Sequence, residues 1–127
     1  MRCLKYLGAA MAFALANILP TSGIAQHIVQ LQCAARIERV GDILVFTSQI
    51  MANLSVTVDY DMEISYLSAG NLGATSQGGT LALSANRPMR TASAQVKVSG
   101  SGYYEVELTV QDRMTGETCV DKQTIFL

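Results

Sequence analysis

The sequence predicts an all-β protein, an immunoglobulin-like antiparallel β-sandwich of about seven strands, on three observations. First, Val56, Val58, Tyr60, Met62, Ile64 and Tyr66 are apolar or aromatic, while Thr57, Asp59, Asp61, Glu63 and Ser65 between them are polar. Second, Tyr104, Val106, Leu108 and Val110 alternate in the same way with Tyr103, Glu105, Glu107 and Thr109. Third, turn residues separate further alternating runs, and no helical spacing follows Ala25. Period 2 sets one side of a strand in a core and the other in water. A helix, at about 100° per residue, would scatter the same side chains around its surface. A small closed barrel is the alternative arrangement.

In chain order, the first segment reads as an export signal rather than as part of the fold. Arg2 and Lys5 form a basic start, Leu7 to Leu19 is apolar apart from Asn17, Pro20 ends any helix, and Gly23-Ile24-Ala25 supplies small residues. That is the order of a secretory signal peptide over residues 1–25, with cleavage before Gln26. The apolar run is short for a membrane span, which takes about 20 residues; a retained anchor is the alternative. The remaining Gln26–Leu127 fits one domain of about 100 residues. Of 9 basic residues Arg2 and Lys5 lie in the signal, so 7 face 10 acidic ones, a net charge of −3 that argues against nucleic-acid binding.

Gln26 to Gln32 is a lead-in, although Ile28-Val29 can start the first strand early. Cys33, Ala35 and Ile37 then alternate with Ala34, Arg36 and Glu38 as far as Val40. Gly41-Asp42 suits a tight two-residue hairpin. In Ile43 to Met51 the inward face is Leu44, Phe46, Ser48 and Ile50, and Asn53 marks the turn into the long strand Val56–Ser68. That strand is expected to be central and fully paired. Ala69 to Gly79 is small and polar and reads as a loop followed by a short, weak edge strand, with an apolar return at Thr80 to Leu83 ended by Asn86-Arg87-Pro88. Ala92 to Val98 alternates again, Gly100-Ser101-Gly102 turns, and the strand of Tyr104 follows. Asp112 to Glu117 is a hairpin loop before a last strand, Thr118 to Phe126.

Few residues offer chemistry. His27 is the one histidine, beside the cleavage point, so a catalytic triad lacks a base, and no enzyme activity is expected. Neither Cys-x-x-Cys nor a zinc-ligand spacing occurs, Gly78-Gly79 opens no helix, and neither metal nor cofactor is expected. Cys3 leaves with the signal. Cys33 and Cys119 then form an even pair in an oxidising compartment, which favours a disulfide; free thiols or a redox role are the alternatives. So long a loop would contribute about 4–5 kcal/mol by chain entropy.

Asp59, Asp61 and Glu63 share one side of the central strand, and Glu105 and Glu107 the outward side of another. In an immunoglobulin-like order those strands are neighbours, so five carboxylates would share one sheet face. Such a face is either plain solvation or an electronegative surface that recognises a polypeptide. Gly70 to Gly79 is either a connecting loop or an edge that receives a strand by β-augmentation.

The motifs together bear a family resemblance. Cys33 to Glu38, Gly41-Asp42, the long alternating strand, Ser76 to Gly79, Gly102-Tyr103-Tyr104, Leu108-Thr109-Val110 and a late Cys119 come in that order in an exported β-domain. The pattern resembles the CsgC/CsgH-like curli assembly proteins over nearly the whole of Gln26–Leu127. The resemblance implies a monomeric periplasmic protein whose partners are curli amyloid subunits, kept from forming amyloid before export, with no nucleic acid, membrane or cofactor involved. The Cys-x-Cys motif of one branch is missing here, which favours a simple disulfide. A secreted adhesin or fibre subunit is the alternative, for which Gln26 to Gln32 is a short donor extension.

Overall fold

The computed structural model describes residues 28–127 apart from Ala92. The signal segment 1–25, its cleavage point, His27 and the strand position of Ala92 lie outside the described residues. Eight strands are described rather than about seven: β1 (Leu31–Val40), β2 (Ile43–Ala52), β3 (Val56–Ser68), β4 (Asn71–Leu83), β5 (Met89–Arg90), β6 (Ala94–Lys97), β7 (Gly102–Asp112) and β8 (Thr118–Phe126). They form two antiparallel sheets. One runs β1-β2-β5, with β6 also paired to β2; the other runs β4-β3-β7-β8.

The core follows from alternation. β3 lies inside its sheet, paired over its whole length to β4 and from Val58 to Ser68 with β7. Val58, Met62 and Ile64 of β3 and Val106 and Leu108 of β7 are fully buried against Leu44, Phe46 and Ile50 of β2. Each such side chain contributes about 1.5–3 kcal/mol by leaving water. Tyr60 is only half-buried, its ring lying over Gly79 of the edge strand β4. Ser48, the polar inward residue of β2, is buried and bonded through its hydroxyl to that of Thr91.

The glycine-rich segment is the main departure from expectation. Ala69 and Gly70 alone make the turn, with φ of 52° and 81°, and residues 71–83 form an edge strand as long as β3 itself. Two successive positive φ values are the mark of the hairpin turn whose twist matches its strands. The glycines of β4 are not gaps, because tyrosines of β3 cover them. Tyr66 lies opposite Gly73 and Tyr60 opposite Gly79. A Cβ at Gly73 would fall inside the Tyr66 ring, and one at Gly79 would sit 3.3 Å from the Tyr60 ring. β4 is therefore held by its backbone ladder and by aromatic cover rather than by a buried apolar face. β5 has only two residues, too few for an alternating signal in the sequence, and in the run around Val96 the described pairing to β2 covers Ala94–Lys97.

At the opposite side the sheets are tied together. Cys33 of β1 and Cys119 of β8 form a disulfide with Cα atoms 6.1 Å apart. Two residues further along each strand, the Ala35 amide donates to Asp121 Oδ2 at 2.8 Å.

Candidate functional site

The outer face of the β4-β3-β7-β8 sheet gathers all five carboxylates singled out in the sequence. Alternation turns Asp59, Asp61 and Glu63 outward on β3, and Glu105 and Glu107 outward on β7. The register sets Glu63 directly opposite Glu107, with Asp61 opposite Thr109, Ser65 opposite Glu105 and Asp59 opposite Gln111.

Two of the five are neutralised. Arg113, in the β7–β8 loop, donates from Nε to both Asp59 oxygens at 3.0 and 3.1 Å. Thr80 of β4 donates its hydroxyl to Asp59 Oδ1 at 2.8 Å and accepts from Arg113 Nη2 at 3.1 Å. The Arg113 hydrogen bond, then that of Thr80, hold the Asp59 carboxyl below its ordinary range, and Asp59 in turn raises Arg113. Lys122 Nζ of β8 lies 3.7 Å from Glu105 Oε2. Neither cation was foreseen as part of this face, because each belongs to a segment that reads alone as a loop or an edge.

The side chains of Asp61, Glu63 and Glu107 are left without a hydrogen bond or ion pair to any described residue. Lys122 faces Glu107 across the ladder but reaches its neighbour Glu105 instead. Like charges directly opposite each other in a sheet are destabilising, by about 0.2–1 kcal/mol. The Glu63–Glu107 pair is thus a cost, eased on the Glu107 side by the Lys122 charge across the ladder.

A second feature of the same face was not read from the sequence. The polar side of β3 ends at Leu67, which lies opposite Leu72 on β4 and Tyr103 on β7, and Tyr103 lies opposite Phe126 on β8. One apolar row thus crosses all four strands. The signal available was the break in alternation, an apolar residue at an outward position of β3 and again of β7.

A hollow of about 680 Å³ lies elsewhere, among Val29, Val56, Leu83 and Met114, and none of the five carboxylates lines it. Asp112, at its wall, is fully buried and closes the β7–β8 loop by accepting from the Thr115 hydroxyl at 2.6 Å and the Thr115 amide at 2.9 Å. The Thr115 hydroxyl bond holds the Asp112 carboxyl below its ordinary range against the opposing effect of burial. The acidic face is open and solvated. Its physical capacity is long-range attraction of cationic chains, screened beyond about 8–10 Å at physiological ionic strength.

No protein-family model matches this chain, and no curated protein matches it. Solved structures do. The solution structure of CsgH from R. palustris superposes with a TM-score of 0.58 at 14% identity, covering 76% of this chain and 92% of that one. The E. coli curli protein CsgC superposes with a TM-score of 0.59 at 17% identity, over 73% of this chain and 97% of its own. At such identities the likeness is one of fold, and the described residues form a curli-protein-like β-sandwich.

Proposed function

We propose that this protein is a periplasmic chaperone of curli assembly, which keeps amyloid-forming subunits from assembling before export and contacts them through its acidic sheet face. The observation that carries the reading is the trio Asp61, Glu63 and Glu107, whose side chains make no ion pair to a described residue and which stand together on the central strands of a curli-protein-like fold. The apparent signal segment and the Cys33–Cys119 disulfide support an oxidising compartment such as the periplasm. Amyloid subunits template one another through unpaired strand edges, and weak, transient contact with early species is enough to delay nucleation without any chemical step.

The test is fibrillation of the curli subunit from the same organism. The purified protein is expected to lengthen the lag at well below equimolar amounts, and Asp61→Asn, Glu63→Gln and Glu107→Gln together are expected to shorten it again with the fold intact. An unchanged lag with the wild-type protein rejects the reading. A second reading, a secreted adhesin or fibre subunit, is favoured by β4, a long edge strand paired on one side only among the described residues. Self-assembly of the purified protein into fibres, with no effect on curli subunits, would select it.

A further inference from the structure

The apolar row beside the acidic trio carries an inference about what the face binds, and it rests on the reading of that face as a client surface. Leu72 is 81% exposed, Phe126 78% and Tyr103 37%. The row is fixed in place rather than frayed. Leu127 and Gly102 exchange hydrogen bonds at 2.9 and 3.1 Å, which extends the β7–β8 pairing past Phe126. Tyr103 and Phe126 keep their ring centroids 6.3 Å apart. A Cβ at Gly102 would run into the Leu67 carbonyl, so β3 and β7 meet closely at this row. With one side chain from each of four strands, it spans about 14 Å across the sheet. Contiguous exposed apolar surface of this kind marks an interaction site.

We propose that this ledge and the acidic trio form one binding surface for an extended polypeptide that carries a large apolar side chain and, about four residues along, a cationic one. The spacing comes from the register. Leu67 and Tyr103 lie four residues from Glu63 and Glu107 along their strands, which is about 13 Å. A chain that reaches from the ledge to the carboxylates runs along β3 and β7, because the ledge crosses the strands and the carboxylates continue down them. Charge decides against other occupants. A second copy laid face to face would oppose Asp61, Glu63 and Glu107 to themselves, and anionic lipid would be repelled by the same residues.

The probe is a Ser/Thr-based synthetic peptide with one Phe and one Lys about four residues apart, titrated into the isotope-labelled protein. Amide shifts are expected at Leu67, Tyr103, Glu63 and Glu107. Tyr103→Ser with Phe126→Ser is expected to weaken binding by about tenfold or more. Glu63→Gln with Glu107→Gln is expected to weaken it and to reduce its salt dependence, Asp61 remaining charged. Should the double apolar variant fold poorly, Leu72→Ser alone, at an almost fully exposed position, is expected to weaken binding measurably. Equal binding of a peptide with Ser in place of Phe would overturn the proposal. So would shifts confined to β4, or dimerisation of the free protein that Phe126→Ser abolishes in sedimentation. The two levels separate cleanly. Peptide binding as described with no effect on curli fibrillation removes the chaperone reading and keeps the surface. Full inhibition by the Tyr103→Ser/Phe126→Ser protein removes the ledge and keeps the chaperone.

Discussion

The two edges of the β4-β3-β7-β8 sheet are built on opposite principles. β8 is fastened to the other sheet, by the Cys33–Cys119 disulfide and by Asp121 accepting from the Ala35 amide, and β1 packs along it. β4 has no charged residue and no proline and pairs one-to-one with β3 without a bulge; among the described residues it buries Leu83 in the core and makes one side-chain bond toward the other sheet, 3.2 Å from Gln77 Nε2 to the carbonyl of Ser93 just ahead of β6. Proteins usually blunt a long edge with lysine, proline or a bulge. The difference teaches that one sheet can be locked on one flank and, among the described residues, left unpaired on the other, with the acidic face between them.

Breaking the locked flank has the largest expected effect. Cys33→Ala together with Cys119→Ala is expected to cost about 3–5 kcal/mol, read as a fall in the urea midpoint with a steeper slope, because the unfolded chain is no longer closed into a loop. Amide exchange is expected to quicken in β1 and β8 and to change little in β4. A loss under about 1 kcal/mol would mean that Asp121 and packing alone hold that flank.

Breaking the open flank costs less, because less is buried there. Gly73→Val drives side-chain atoms into the Tyr66 ring, which is itself stacked on Tyr104 with centroids 5.4 Å apart. The expected loss is about 1–3 kcal/mol. Ser76→Val on the outer side of the same strand is expected to stay within about 0.5 kcal/mol. Equal effects from both variants would show that the tyrosine cover does not hold β4.

What the sequence revealed and what it hid divide along the same line. β3 and β7 were legible because their inner sides are uninterrupted apolar columns, and the five carboxylates followed from their outer sides. β4 was not legible as a full strand because Gly73 and Gly79 carry no side chain, and the atoms that complete the packing belong to Tyr66 and Tyr60. Those two tyrosines and two glycines are equidistant from the Ala69–Gly70 turn, a symmetry visible only once the turn is placed. The ledge was hidden for a related reason. Leu67, Leu72, Tyr103 and Phe126 sit in four different segments, and only the register puts them in one row.

A gain of stability sharpens the comparison at the turn into β4. Ala69 holds φ of 52°, a left-handed conformation that disfavours a residue with a Cβ and suits asparagine ahead of glycine. Ala69→Asn is expected to add about 0.5–1 kcal/mol, seen as a higher melting temperature. Ala69→Val, branched at a positive φ, is expected to lower it. A lower melting temperature for the asparagine variant would mean that contacts of the alanine methyl, which lies 3.5 Å from where a Gly100 Cβ would stand, outweigh the backbone preference.

The smallest effect concerns the far end of β4, where Asp59 ties Thr80 to Arg113. This is the open flank's counterpart to Asp121 on the locked one, but it is solvent-exposed, so its contribution is modest and screened. Its pH dependence has a definite sign. The folded Asp59 carboxyl lies below its ordinary value of 3.8, held there first by the Arg113 hydrogen bond. The stabilisation is therefore fully present above about 3.8 and is lost as pH falls through the lower, folded value. Arg113→Gln is expected to be less stable than the wild type by a small amount that stays level from neutral pH down to about 4 and then shrinks with further acid. Asp112 loses its Thr115 bonds in the same acid range, but it does so in both proteins and cancels from the difference. Urea unfolding of the two proteins across acid pH measures the gap directly. A gap that persists undiminished in strong acid would show that Arg113 holds β4 through Thr80 alone, and that the Asp59 charge contributes nothing to this edge.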